Sequence, residues 1–179
     1  MHTRHVLTLL AGALLAPAAL ADLRPQGMFI EAGAGRGSAR ELAVGAVWPW
    51  SWRRELAAGR LEGLTEAYVS YWRARDGAAR PGFTHVGVVP LLRYRFEQGR
   101  SPWFVEGGIG LTAMDRIYHA GDKQFSTRLN FTDVLGAGLN FGEGGRHEVS
   151  LRATHFSNGG LKQPNPGMNF VRLRYGLMF

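Results

Sequence analysis

Counting back from the C-terminus, Phe179, Leu177, Tyr175, Leu173 and Val171 fall on one parity, and Gly176, Arg174 and Arg172 on the other. A strand turns successive side chains to opposite faces. This segment therefore has one oily face and one face carrying guanidinium groups, which suits a strand with lipid outside and a polar lumen inside. The rhythm recurs upstream. Trp103, Val105, Ile109 and Leu111 oppose Glu106 and Thr112; Leu129, Phe131, Leu135, Leu139 and Phe141 share a parity; Val149, Leu151 and Ala153 oppose Glu148, Ser150 and Arg152. Past the N-terminal segment, no apolar run approaches the ~18 residues that a spanning helix needs.

Eight strands are predicted, over residues 27–37, 39–48, 63–75, 83–95, 103–114, 128–141, 146–157 and 169–179. The turn signals between them include Pro49-Trp50-Ser51-Trp52, Asp76-Gly77, Glu97-Gln98-Gly99 and Gly142-Glu143-Gly144-Gly145. The expected fold is all-β, an eight-stranded antiparallel up-and-down transmembrane β-barrel. A barrel of that size is filled by side chains rather than by a water channel. Glycines inside strands, such as Gly107, Gly108, Gly110, Gly136 and Gly138, relieve crowding there. Gly33-Ala34-Gly35-Arg36-Gly37 lacks the spacing and the following helix of a dinucleotide loop.

Residues 1–21 read as a secretion signal, with His2, Arg4 and His5 before an apolar run from Val6 to Leu15 and a small-x-small cleavage site at Ala19-Leu20-Ala21. A retained anchor is the alternative. Residues 22–179 then form one outer-membrane β-barrel domain. The chain has no cysteine, which excludes disulfides, thiolate metal sites and cysteine nucleophiles. Its net charge of +7 suits an anionic partner. An exported chain points that preference to phospholipid or phosphorylated glycolipid rather than nucleic acid.

The parity of strand seven, extended, carries Val149, Leu151 and Ala153 on to His155 and Ser157, and that of strand eight carries Val171 back to Asn169. All three polar residues are then expected on the lipid-facing wall near one rim, on neighbouring strands. Polar groups in such a place are costly, and function is their default explanation. A serine hydroxyl becomes a nucleophile when a histidine takes its proton and a third group holds the imidazole tautomer. The connecting residues offer oxyanion donors: side-chain amides at Asn158 and Asn165, backbone N–H groups at Gly159 and Gly160. Pro164 and Pro166 stiffen the segment. One candidate acid lies on strand six. If Phe141 pairs with His147, Asp133 falls opposite His155 on the same outward parity. The competing expectation is a bulge that turns Asp133 into the lumen, toward an arginine such as Arg152. His85 and Glu106 are expected in the lumen. His147-Glu148 lacks the second histidine of a zinc motif, and Asp115 to Asp122 lacks calcium-loop spacing, so no metal and no cofactor is expected.

The run His155-Phe156-Ser157-Asn158-Gly159-Gly160, followed by Pro164-Asn165-Pro166-Gly167, resembles the signature of the PagL-type lipid A 3-O-deacylases. The terminal Phe likewise resembles the closing strand of outer-membrane barrel proteins. The family resemblance implies an eight-stranded barrel in the Gram-negative outer membrane with its active site on the outer wall. It implies His155 as base, Ser157 as nucleophile, Asn165 as an oxyanion-hole residue and Gly160 as a second donor. The family pattern has a glutamate where this chain has Asn169. An amide can orient histidine through its carbonyl oxygen, but it brings no negative charge.

The resulting expectation is a serine esterase that hydrolyses the 3-O-linked acyl chain of lipid A in lipopolysaccharide. Lipid A and the outer membrane are its partners, a second copy of the chain is admitted as a homodimer, and nucleic acid is not expected. Two rivals stand beside it. One is a small structural or adhesive barrel with a degenerate site, favoured by Asn169. The other is a different lipid acyl hydrolase or transferase, such as a phospholipase or palmitoyl transferase.

Overall fold

The structure, a computed structural model, describes residues 24–179. The predicted secretion signal lies outside the described residues. Eight long strands run up and down: β1 Gly27–Gly35, β2 Arg40–Leu56, β3 Gly59–Arg73, β4 Gly82–Phe96, β5 Trp103–Met114, β6 Leu129–Phe141, β7 His147–Ser157 and β8 Met168–Met178. Each pairs antiparallel with its sequence neighbours, and β1 closes on β8 from Gly27↔Met178 to Gly35↔Phe170. Closure leaves no strand edge with unpaired N–H and C=O groups, the condition for backbone to sit in hydrocarbon.

The predicted alternation holds around the wall. Leu135, Leu151, Val171 and Leu173 point out and are each more than half exposed, while Glu106, Glu148, Arg152, Arg172 and Arg174 point in and are buried. An apolar belt of this extent on a water-facing surface would far exceed what soluble proteins show; against lipid it is the correct solvent match.

One predicted turn is corrected. Pro49-Trp50-Ser51-Trp52 lies inside β2, which continues to Leu56 and turns at Ala57-Ala58. The register with β3 shifts between Pro49 and Arg53, the mark of a bulge. Proline cannot donate to a ladder, and a bulge accommodates it without ending the strand. Trp50 folds over Gly63, where a Cβ would run into the indole, and donates from Nε1 to Thr65 Oγ1 at 2.9 Å.

The lumen has two layers. In the middle, Arg152 joins Glu66 at 2.8 Å, Glu31 at 3.1 Å and Glu106 at 2.5 Å. Arg93 bridges Glu106 and Glu148, Arg172 reaches Glu41 at 2.7 Å, and Arg174 reaches Glu66 at 2.6 Å. Glu106 is buried in this network, as expected; His85, expected in a polar network, is buried in the lumen against Tyr68, Trp72 and Phe156 with neither ring nitrogen hydrogen-bonded among the described residues. Above this layer, at the end remote from the termini, sits an aromatic plug built on Trp72, Phe83, Tyr118, Phe125, Phe156 and Phe170. Trp72 meets Phe156 edge-on with centroids 4.7 Å apart. Tyr118 and Phe125 come from the long connection 115–128, which folds into a small hairpin pairing His119–Ala120 with Lys123–Gln124. Short turns gather at the end holding the termini and longer loops at the plugged end. That asymmetry orients the plugged end outward from the cell.

Candidate active site

The site lies on the outside of β6, β7 and β8, just below the plugged rim. The two-residue period of β7 turns His155 and Ser157 out and Phe156 in, where Phe156 is buried against Trp72 and His85. Phe156 thus anchors the backbone between the two polar residues.

The registers give the next level. Phe141 pairs with His147, and the ladder then sets Asp133 opposite His155 and Phe131 opposite Ser157. On the other side Asn169 pairs with His155. One row across three strands therefore reads Asp133, His155, Asn169, with all three side chains outward. The bulge that would have turned Asp133 into the lumen does not occur. Directly opposed residues on one face sit ~5 Å apart at Cβ.

Within that row His155 Nδ1 is bonded to Asn169 Oδ1 at 2.5 Å. A carboxamide oxygen only accepts, so the imidazole carries its proton on Nδ1 and presents a lone pair at Nε2. Asp133 makes no hydrogen bond or ion pair among the described residues. A groove of about 540 Å³ runs below the row, lined by Ala34, Arg36, Leu135, Ala153 and Val171 together with His155 and Asn169. Ala153 lies low between the taller Leu135 and Val171 on the neighbouring strands, and Ala34 lies on the far side of Val171.

The loop 158–167 supplies the rest. Ser157 Oγ accepts from Gly159 N–H at 3.3 Å. Asn158 is buried; its Nδ2 donates to Ser126 Oγ at 2.8 Å and Lys162 O at 2.7 Å, and its Oδ1 accepts from Gly160 N–H at 3.0 Å. Asn165 Oδ1 accepts from Asn158 N–H at 3.0 Å, and its Nδ2 makes no hydrogen bond among the described residues. Of the donors expected from sequence, Asn158 and Gly160 hold the turn together, while Asn165 keeps a donor to spare.

Two residues were not anticipated. Gly167, at φ +63°, packs on the reacting edge of the histidine: a Cβ there would lie 2.5 Å from His155 Cε1 and 3.2 Å from Nε2. Lys123, from the 115–128 loop, donates from Nζ to Gly167 O at 2.7 Å and to Pro166 O at 3.4 Å. The proline-glycine step hinted at the first. Nothing local to residue 123 signals the second, because the contact joins two separate loops.

A family model described as "Lipid A 3-O-deacylase (PagL)" matches residues 40–178. The chain is 38% identical over 134 residues to a Pseudomonas aeruginosa protein named lipid A deacylase PagL, covering 74% of each chain. It is 34% identical over 134 residues to the protein of that name from Bordetella bronchiseptica, covering 73% of this chain and 71% of the relative. A crystal structure of the outer membrane enzyme PagL superposes with a TM-score of 0.73 at 35% identity, covering 86% of this chain and 99% of the other. With its closed eight-stranded wall and its row of His155 and Asn169 beside Ser157, this chain belongs to the PagL family of lipid A 3-O-deacylases.

Proposed function

We propose that this chain is an outer-membrane serine esterase that hydrolyses the 3-O-linked acyl ester of lipid A. The observation that carries the reading is the lipid-facing His155–Asn169 hydrogen bond one residue pair from Ser157. It belongs to no packing core and leaves a base at Nε2. Membership of a lipid A 3-O-deacylase family supplies the substrate and the position of the ester.

The reaction follows from these groups. Ser157 Oγ attacks the ester carbonyl as His155 Nε2 takes its proton. The tetrahedral oxyanion is met by Asn165 Nδ2 and by the Gly159 N–H that reaches Ser157 Oγ; Gly160 joins when its bond to Asn158 Oδ1 opens. Removing one such donor typically costs about 3 kcal/mol of transition-state stabilisation. Collapse expels the sugar 3-hydroxyl, protonated by the imidazolium. Water, activated by the same base, then releases a 3-hydroxy fatty acid. His155 and Ser157 share no hydrogen bond among the described residues; catalytic hydrogen bonds tighten around a substrate, and the proposed reaction requires the two to close on one another as the ester enters. Asn169 holds the Nδ1–H tautomer, and the carboxylate of Asp133, on the other flank of the row, supplies the negative charge that an amide lacks.

Location supports the reading. Lipid A lies in the outer leaflet, with its esters at the headgroup boundary. A site on the outer wall just below the rim meets the ester there, and the groove beneath His155 takes the acyl chain. The reading admits two barrels side by side provided the β6–β8 face stays open to lipid; crosslinking in membranes tests that pairing.

Mass spectrometry of lipid A decides between this reading and its rivals. Expression of the wild-type chain is expected to remove one hydroxyacyl group, and Ser157→Ala to abolish the loss. An unchanged mass with wild-type protein leaves a structural barrel. An increased mass marks an acyl transferase, and loss of acyl chains from phospholipid alone marks a phospholipase.

A further inference from the structure

The loop 158–167 makes few apolar contacts of its own. Leu161 is 81% exposed, and the bonds that Asn158 makes inside the loop do not reach its Pro166–Gly167 end. That end joins β8 at Met168, buried in the plug and paired with Phe156, and its carbonyls are held from the neighbouring loop. There the sequence places Tyr118, Ala120 and Phe125 so that all three bury in the aromatic plug, and Phe125 N–H donates to Tyr118 O at 2.9 Å. Burial pushes the Tyr118 hydroxyl up to about 12, with Asp122 and Asp76 adding to the effect.

Two polar residues near Phe125, Ser126 next to it and Lys123 two positions before it, reach across. Ser126 Oγ donates to Lys162 O at 2.8 Å and accepts from Asn158 Nδ2. Lys123 Nζ takes two main-chain carbonyls, Pro166 O and Gly167 O, and pairs with no carboxylate among the described residues. A charge-assisted bond of this kind is stronger than a neutral one. It pulls in the residue whose Cα lies against the Cε1–Nε2 edge of His155.

We infer that Lys123 is a positioning residue for the catalytic histidine. Its ammonium, delivered by a loop anchored in the barrel plug, holds the Pro166–Gly167 backbone against the imidazole and so sets where Nε2 faces Ser157. Asn169 fixes one edge of the ring through Nδ1, and the Lys123–Gly167 contact fixes the other. The inference rests on the esterase reading for its kinetic consequence, but its geometric content stands apart from that reading.

The test compares Lys123→Met and Lys123→Gln, which remove the charge, with Lys123→Arg, which can still donate to two carbonyls. Each is purified as the full barrel in detergent micelles and checked for folding by its heat-dependent shift on gels. Two quantities are read: kcat and KM on a lipid A ester, and the NMR resonance of His155 Cε1–H, with His155→Gln assigning the signal. Misplacing a reacting group by about 1 Å costs about a hundredfold, so Lys123→Met is expected to lower kcat by about tenfold to a hundredfold. KM is expected to stay within about twofold, the His155 resonance to move, and Lys123→Arg to restore most of both. Unchanged kcat and an unmoved resonance overturn the inference. A raised KM with unchanged kcat also overturns it, because Lys123 then contacts the anionic headgroup instead. If the wild-type barrel does not hydrolyse the ester, the esterase reading fails, and the resonance alone decides: movement in Lys123→Met reversed in Lys123→Arg supports the positioning role, and no movement ends it. If Lys123→Met does not fold, Lys123→Gln carries the same two measurements.

Discussion

At His155 the chemistry depends on what touches each edge of one ring. Nδ1 is tied to Asn169 Oδ1, and the Cε1–Nε2 edge lies against the bare Cα of Gly167. Gly167→Ala adds a methyl where there is no room and strains a backbone at φ +63°. We expect kcat to fall about a hundredfold with the barrel still folded, measured by ester turnover beside the gel shift. Asp133 poses a different question. It stands opposite His155 with no partner of its own, and a carboxylate turned toward lipid is expensive. If it balances the imidazolium, Asp133→Asn lowers turnover by about tenfold, a modest share of what a hydrogen-bonded acid provides. Unchanged turnover would mean that the neutral Asn169 suffices.

At the scale of the element, β7 works because its period of two serves two masters at once. Its outward residues make the site and its inward residues reach the plug and the ion network. Phe156 is the hinge of that arrangement, 1% exposed and placed between His155 and Ser157. Phe156→Ala should cost about 3–5 kcal/mol, as large-to-small core changes do. It should also lower kcat, since the backbone on either side loses its anchor. The check is equilibrium unfolding in vesicles alongside turnover. A change in stability with full activity retained would show that the strand ladder alone orders the site.

The whole molecule is a cylinder with an oily exterior and a charged interior, so its stability rests on satisfying the ions inside. Arg152 sits at the centre, bridging Glu31, Glu66 and Glu106. Breaking a buried pair leaves a charge unmatched and typically costs about 3–5 kcal/mol. Arg152→Met is therefore expected to lower the denaturant midpoint in vesicle unfolding while leaving kcat of the folded fraction near the wild-type value, because the site is on the other side of the wall.

The alternation of apolar and polar residues specified most of this architecture. Side-chain direction along a strand is local, and a sheet in a bilayer must close, so strand parity sufficed to put His155, Ser157 and Asn169 on the outer wall and the arginines inside; Asp133 had two readings, and the unbroken register of β6 with β7 chose the outer wall. The Phe141–His147 turn even set the row that aligns Asp133 with His155. Pro49–Trp52 misled because proline usually ends a strand, and only the facing strand, with Gly63 vacant under Trp50, turns it into a bulge. The tertiary structure alone decided which acceptor holds Nδ1, which amides of the 158–167 loop remain uncommitted, and that Lys123 and Ser126 brace that loop from another. Those outcomes depend on which hydrogen-bonding groups are left over once segments distant in the chain have met, and a one-dimensional pattern carries no record of that competition.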